Sequence, residues 1–408
     1  MSKLFQINTC INHSTGNITQ QIGETAIANG WESWIAYSAR STEVPSKSHL
    51  IKIGSKFDTY WHAMATRLFD IHGMSSTAAT RSLVRKIAEI DPDIVQLHIV
   101  HGYYLDIRVL FQYLNSRKKP FVWTFHDCWS MTGHCAHFDS IKCMKWKAGC
   151  HDCEIKREYP ASKLFDRSKQ NYYFKKYIFS KCDNLTIVPV SDWLNGVVKE
   201  SFLNKIPTRV IKNGIDLSVF EYSKSSLREK LGIGDRFVIL GVATGWYEGA
   251  GLKRLKEFLK LSQFLDDDYV IILIGLESYQ TKSLPANVIG LQRTVNQKEL
   301  AEYYSIADVF INPTYQDSLP TVNMESQACG TPVITYRTGG SPELLTPDTG
   351  WIVDRGDIEA IVGIIKKYSL TSEEERKFKS TCCINNAIAN FNKDDRFKEY
   401  IDLYNSLI

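Results

Sequence analysis

No stretch of this chain approaches the roughly 18 consecutive apolar residues that a membrane-crossing helix needs. No transmembrane helix is therefore expected. A strong charge of one sign is missing too. The formal net charge is +4, which by itself points neither to nucleic acid nor to a strong membrane field. There is no internal repeat and no low-complexity tract, so solenoids and disordered linkers are set aside. The opening residues, MSKLFQINTC, run directly into a short apolar strand without the pattern of a secretory leader. A cytoplasmic location is expected, and with it ten cysteines held as thiols or metal ligands rather than disulfides.

What remains is globular. The chain has 408 residues, 44% hydrophobic and 23% charged, too many for one core, so two domains are expected. Strand and helix patterns alternate. LFQI (4–7) precedes a loop carrying Ser14, Thr15 and Gly16, a helix over 17–29 and the strand WESWIAY, the opening of a doubly wound sheet. Residues 41–80 are polar and show no clear element. A helix over 80–90 leads to the strand DIVQLHIV, which ends at His98. The following HGYY (101–104) either lines a binding cleft or packs. FVWTFHD (121–127) places His126 at a strand's carboxyl end, the side on which α/β sheets meet ligands. NLTIVPVS (184–191) is another strand, with Ser191 capping a helix over 192–201. A linker is expected near 205–222. The alternation then restarts with FVILGVAT (237–244) and YVIILIGL (269–276).

Between these, residues 128–160 are rich in cysteine. Cys135, Cys143, Cys150 and Cys153 are spaced C-x7-C-x6-C-x2-C, the ligand count of a closed tetrahedral zinc site. A structural zinc ion without catalytic role is expected, with His134, His137 or His151 as substitute ligands; reduced thiols are the other reading. Residues 142–176 hold ten Lys or Arg against four Asp or Glu, interleaved with Trp146, Tyr159, Phe165, Tyr172, Tyr173 and Phe174. Such a surface meets anionic lipid at the inner face of a cell membrane, or is simply a solvated face.

The most informative stretch is 317–343, DSLPTVNMESQACGTPVITYRTGGSPE. A strand ends in a loop bearing Asp317, a short helix bears Glu325, and Gly339-Gly340 turns the chain again. Helix N-termini favour anions, and an ionised carboxylate accepts both hydrogens of a sugar diol. This stretch resembles the E-x7-E region of retaining glycosyltransferases of the "glycosyl transferases group 1" family, with Asp317 and Glu325 in the two acidic places. NGID at 213–216 and the segment from 288 to 313 extend the resemblance. It implies an α/β GT-B fold: two Rossmann-like domains facing across a cleft, over 1–205 and 206–390, with a Cys-rich insert in the first and a helix over 391–408 returning to it. It implies transfer of a sugar, with retention, from a nucleotide diphosphate sugar to a saccharide or polyprenyl-diphosphate-linked acceptor in bacterial surface polysaccharide assembly. His126, Asp317 and Glu325 take the catalytic places. Gly16, Ser318, Leu319 and Glu325 contact the donor, and Arg293 lies near the base. One departure stands out. Ala250 occupies the family's lysine position and Trp246 lies near its arginine, so Lys253 or Arg254 would have to supply the charge. With no protein nucleophile and no suitably placed D-x-D, no catalytic metal or other cofactor is expected, nor any nucleic-acid partner. The competing readings are a sugar-nucleotide epimerase of the same fold, a transferase-like binding subunit, and a zinc-ribbon nucleic-acid binder.

Overall fold

The computed structural model describes residues 1–246 and 255–408, and of His13 the backbone alone. The chain divides into two compact units, Met1–Lys212 with Asp394–Ile408, and Asn213–Lys393. The first holds strands β1 (Lys3–Asn8), β2 (Glu32–Ser38), β3 (His49–Ile53), β4 (Ile94–Leu97), β5 (Phe121–Phe125) and β6 (Leu185–Pro189). The second holds β7 (Phe237–Val242), β8 (Tyr269–Ile274), β9 (Val288–Leu291), β10 (Val309–Asn312), β11 (Val333–Tyr336) and β12 (Gly350–Val353). Near-continuous apolar runs such as VIILI suit strands covered by helices on both faces, and every pairing between these twelve strands is parallel. The orders are β3-β2-β1-β4-β5-β6 and β12-β11-β10-β7-β8-β9. In each sheet the winding reverses between the first and fourth strands of that unit. Ligands bind outside the carboxyl ends at such a reversal. That places the mouths of β1/β4 and β7/β10 first among candidate sites.

Residues 41–80, unreadable as sequence, contain β3 and the helix Lys56–Phe69. The helix has a capping box: Ser55 Oγ accepts from Asp58 N at 3.1 Å, and Ser55 N donates to Asp58 Oδ2 at 2.7 Å. S-K-F-D is that signal in the sequence. It was masked because Phe57, Tyr60, Trp61 and Phe69 face outward, opposite to a core-facing stripe. The first helix runs His13–Ala28, so Gly16 lies in its first turns and not in a loop as expected. A Cβ there would sit 2.7 Å from the Ile11 carbonyl carbon, so glycine serves the chain's approach to itself. The last helix, Lys393–Leu407, buries Phe397, Tyr400, Ile401 and Tyr404 in the first unit's core with Leu4, Ile18, Trp31 and Val122.

The Cys-rich stretch is not a polar insert but carries buried apolar residues of its own. Trp129, Met131, Phe138, Trp146 and Ile155 are buried, and Phe138 stacks on Trp146 at 4.8 Å. Among the described residues no three His, Cys, Asp or Glu side chains are placed to hold a metal ion. The Cys135 and Cys153 thiols hydrogen-bond each other, with Cys150 beside both and Cys143 beside Cys150. Apolar packing contributes to holding this stretch. The basic-aromatic stretch is likewise partly core, since Trp146 and Tyr172 are buried.

Lys175 is enclosed beside this segment. Its Nζ donates to the carbonyls of Trp129 (2.7 Å) and Thr132 (3.1 Å) and lies 3.3 Å from the Trp129 ring centroid. Burial pushes its pKa down to about 7 from 10.5. A depressed lysine penalises the fold in full below pH 7. The penalty lessens as pH rises through 7 and vanishes above the unfolded value. Stability should thus rise by ~2–3 kcal/mol between pH 7 and 9 from this group alone. Urea unfolding of the wild type and Lys175→Met at both pH values checks this; parallel pH dependences would refute it.

Candidate active site

In the second unit, β10 runs through 313–320 into the helix Thr321–Ala328. Pro320 ends the loop, and no side chain caps the helix, which leaves first-turn N–H groups for an anion. Asp317 folds the loop on itself: its Oδ1 accepts from Leu319 N at 3.2 Å, and its carbonyl accepts from Gly340 N at 3.3 Å. The Gly339-Gly340 turn therefore approaches Asp317's backbone. A Cβ on Gly339 would lie 1.7 Å from the Asp317 carbonyl oxygen, and φ there is +53°. Leu319 is buried, and Ser318 Oγ is buried without a hydrogen-bond partner, an unsatisfied hydroxyl inside the loop. Glu325 is buried on the helix, and Tyr304 OH donates to its Oε2 at 3.2 Å. Burial and the Glu325 charge push the Tyr304 phenol well above its ordinary range, so it stays a donor. The helix is locked by Asn323, which accepts from Asn312 Nδ2 (2.8 Å) and donates to Ser341 Oγ (2.9 Å). Sequence reasoning passed over this buried network, because amides and hydroxyls in a core are recognisable only by their partners.

At the mouth of β7 the picture changes. Trp246 is core: its indole N–H donates to the Ile274 carbonyl at 3.0 Å and its ring meets Phe258 edge-on. It does not stand in for a surface cation. Ala250, Lys253 and Arg254 lie outside the described residues. Arg293 is exposed, and its guanidinium donates to the Thr244 carbonyl, which places a fixed positive charge where the chain leaves β7.

In the first unit, His126 is half-buried at the end of β5. Its Nε2 is 3.1 Å from Nδ1 of His98, and the two rings stack at 5.4 Å. Burial pushes His126 down to about 4 and His98 well below its ordinary value. The HGYY loop does pack, but its histidine is also wired. His101 Nε2 donates to Asp127 Oδ2 at 2.7 Å, and Tyr159 OH pairs with Nδ1 at 2.9 Å. Burial raises the Asp127 carboxyl, but the adjacent imidazole outweighs it and holds the pKa at about 2. Asp127 was not singled out from sequence, and Tyr159 was named only among the aromatics of the basic stretch. Asp127 directly follows His126 at the same strand end, which was the available signal. Gly16 lies in the helix that leaves β1.

Two family models tile the chain: Glycosyltransferase Family 4 over residues 17–219 and Glycosyl transferases group 1 over 223–381. Residues 223–381 thus match the glycosyl transferases group 1 family. The chain is similar to the putative colanic acid biosynthesis glycosyl transferase WcaC of Escherichia coli, with 26% identity over 67% of each chain. It is also similar to the capsular polysaccharide biosynthesis glycosyltransferase CapM of Staphylococcus aureus (28% identical over 48% of this chain and 56% of CapM). A GDP-mannose-dependent mannosyltransferase of Mycolicibacterium smegmatis is 28% identical over 34% of this chain and 40% of its own. The chain thus spans two thirds or less of these curated relatives. Among solved structures, sucrose-phosphate synthase from Thermosynechococcus elongatus superposes with TM-score 0.73 at 17% identity, covering 100% of this chain and 99% of that one. HepE of Anabaena, solved with UDP-glucose, gives 0.68 at 13%, covering all of both chains. These likenesses establish the fold, paired Rossmann-like units of the GT-B class.

Proposed function

We propose that this protein transfers a sugar, with retained anomeric configuration, from a nucleotide diphosphate sugar to a saccharide or lipid-linked saccharide acceptor in bacterial surface polysaccharide synthesis. One observation carries the reading. At the sheet reversal of the second unit, an uncapped helix N-terminus, an unsatisfied buried Ser318 hydroxyl and a buried Glu325 carboxylate share one strand–loop–helix. The N–H groups favour the charged part of the donor. Glu325 accepts from a diol of the nucleotide's ribose, and the loop around Asp317 contacts the sugar. Arg293 adds positive charge beside the donor. HepE's complex with UDP-glucose and the GDP-mannose dependence of the mannosyltransferase support a nucleotide-sugar donor. WcaC and CapM support the surface-polysaccharide setting. No side chain acts as a covalent nucleophile in this reading. The departing diphosphate takes the acceptor's proton, and the protein orients and stabilises charge.

The test is calorimetry with a panel of UDP-, GDP- and ADP-sugars, followed by proton-coupling analysis of the product's anomeric centre. Inverted product would remove retention; no binding to any donor by folded protein would remove the reading.

A membrane-bound acceptor fits one more feature. The helix Lys56–Phe69 exposes Phe57, Tyr60, Trp61 and Phe69, with Phe165 stacked on Phe69 at 6.1 Å and Lys56, Arg67 and Lys163 exposed nearby. No described helix is long and apolar enough to cross a membrane. Peripheral binding is the expected behaviour. Phe57→Ser with Trp61→Ser should cut sedimentation with phosphatidylglycerol vesicles at least ~tenfold, since two apolar anchors are lost. Equal sedimentation of variant and wild type would place the contact elsewhere.

A further inference from the structure

The carboxyl ends of β1, β4 and β5 carry a line of buried polar side chains whose hydrogen-bond directions can be worked out one by one. Gln6 Nε2 donates to the Thr19 carbonyl at 3.0 Å, which settles the amide's orientation. Its Oε1 therefore faces His98 Nε2, 3.2 Å away, and an amide oxygen only accepts. His98 Nε2 must carry a hydrogen. His98 is 2% exposed and stacked on a second imidazole, an environment that disfavours a cation, and burial lowers its pKa accordingly. A neutral ring with its hydrogen on Nε2 has its lone pair on Nδ1. That nitrogen is 3.1 Å from His126 Nε2, so His126 Nε2 is the donor of this pair. His126 is neutral for the same reason, with its pKa at about 4. The lone pair of His126 is thereby driven to Nδ1, which bonds to no group among the described residues and is not fully enclosed.

We propose that Thr19, Gln6 and His98 form a tautomer-setting relay that makes His126 Nδ1 a hydrogen-bond acceptor for a hydroxyl of the substrate sugar. This rests on the reading of His126 as a substrate-facing group. It refines that reading: a neutral acceptor nitrogen recognises an O–H and offers nothing to a phosphate oxygen. Gln6 and His98 are positioning residues; neither touches substrate. The relay also explains why a glutamine and a histidine occupy core places on two central strands, where an unpaired polar group is costly.

The experiment is two-bond proton–nitrogen correlation on the full chain labelled with 15N-histidine, with His126 assigned through His126→Gln. Nε2 of His126 should appear protonated and Nδ1 unprotonated in the free protein. UDP-glucose and GDP-mannose are the probes. Binding of either should move the Nδ1 resonance upfield while Nε2 keeps its hydrogen. His98→Leu should release the constraint and leave His126 as a mixture of tautomers. His98→Gln, whose carbonyl accepts from His126 and whose amide donates to Gln6, should restore the single tautomer. A hydrogen on Nδ1 in the wild type, or an unchanged His126 in a folded His98→Leu, overturns the relay. A probe that binds without moving Nδ1 overturns the hydroxyl contact. If neither probe binds, the donor reading and the hydroxyl contact both fail, while the tautomer of the free protein still decides the relay.

Discussion

Glu325→Ala is expected to lower nucleotide-sugar affinity at least ~100-fold, because two charge-assisted hydrogen bonds to a diol are worth about 1.5–3 kcal/mol each. The carboxylate is 9% exposed and sits on a helix locked by Asn323. It is preorganised, and no solvent molecule replaces it at the same geometry. The substitution also strands the Tyr304 phenol, so a stability loss of ~1–3 kcal/mol should accompany it. Glu325→Gln separates the two effects. The amide keeps an oxygen for Tyr304 and the shape of the side chain, but loses the charge. It should fold like the wild type and bind more weakly than it. Calorimetry on all three proteins, with urea unfolding alongside, makes the comparison. Affinity of Glu325→Ala within threefold of wild type would show that the donor does not use this carboxylate.

Gly339→Ala should be more damaging than its single methyl suggests. The new carbon would fall 1.7 Å from the Asp317 carbonyl oxygen, a backbone atom that moves only with its loop, and φ is +53°. Left-handed strain and displacement of the loop together should cost ~3 kcal/mol or more. Asp317, Ser318 and Leu319 move with that loop, so donor affinity should fall at least ~tenfold in the fraction that still folds. Gly363→Ala is the control. It lies within the helix Ile358–Ser369, where a Cβ meets nothing within 4 Å, and should stabilise by ~0.5–1 kcal/mol. A Gly339→Ala protein within 0.5 kcal/mol of wild type would mean the turn and the Asp317 loop are not coupled as the geometry requires.

Much of this was readable from the chain itself. The apolar runs at 4–7, 121–125, 237–242 and 269–274 could be little other than buried strands, and their alternation with helical stretches yields parallel doubly wound sheets. The stretch 317–343 announced its carboxylates and glycines through local spacing alone. The place of His126 at the end of β5 was readable because a strand end is a local property. Local signals failed where outward-facing aromatics hid the helix Lys56–Phe69, and where a polar composition hid the buried apolar residues of 128–160.

What only the tertiary structure decided is which distant groups meet. Gln6 and His98 are 92 positions apart, Tyr400 and Thr124 are 276 apart, and Tyr304 reaches Glu325 from another helix. Gly339 is needed for the close passage of Asp317, 22 residues earlier in the chain. Trp246 turned out to be core rather than a replaced cation. Hydrophobic periodicity is a short-range code, legible within one turn or one pleat. Hydrogen-bond direction, burial and the charge state of a histidine depend on neighbours brought by the fold, and no spacing along the chain encodes them.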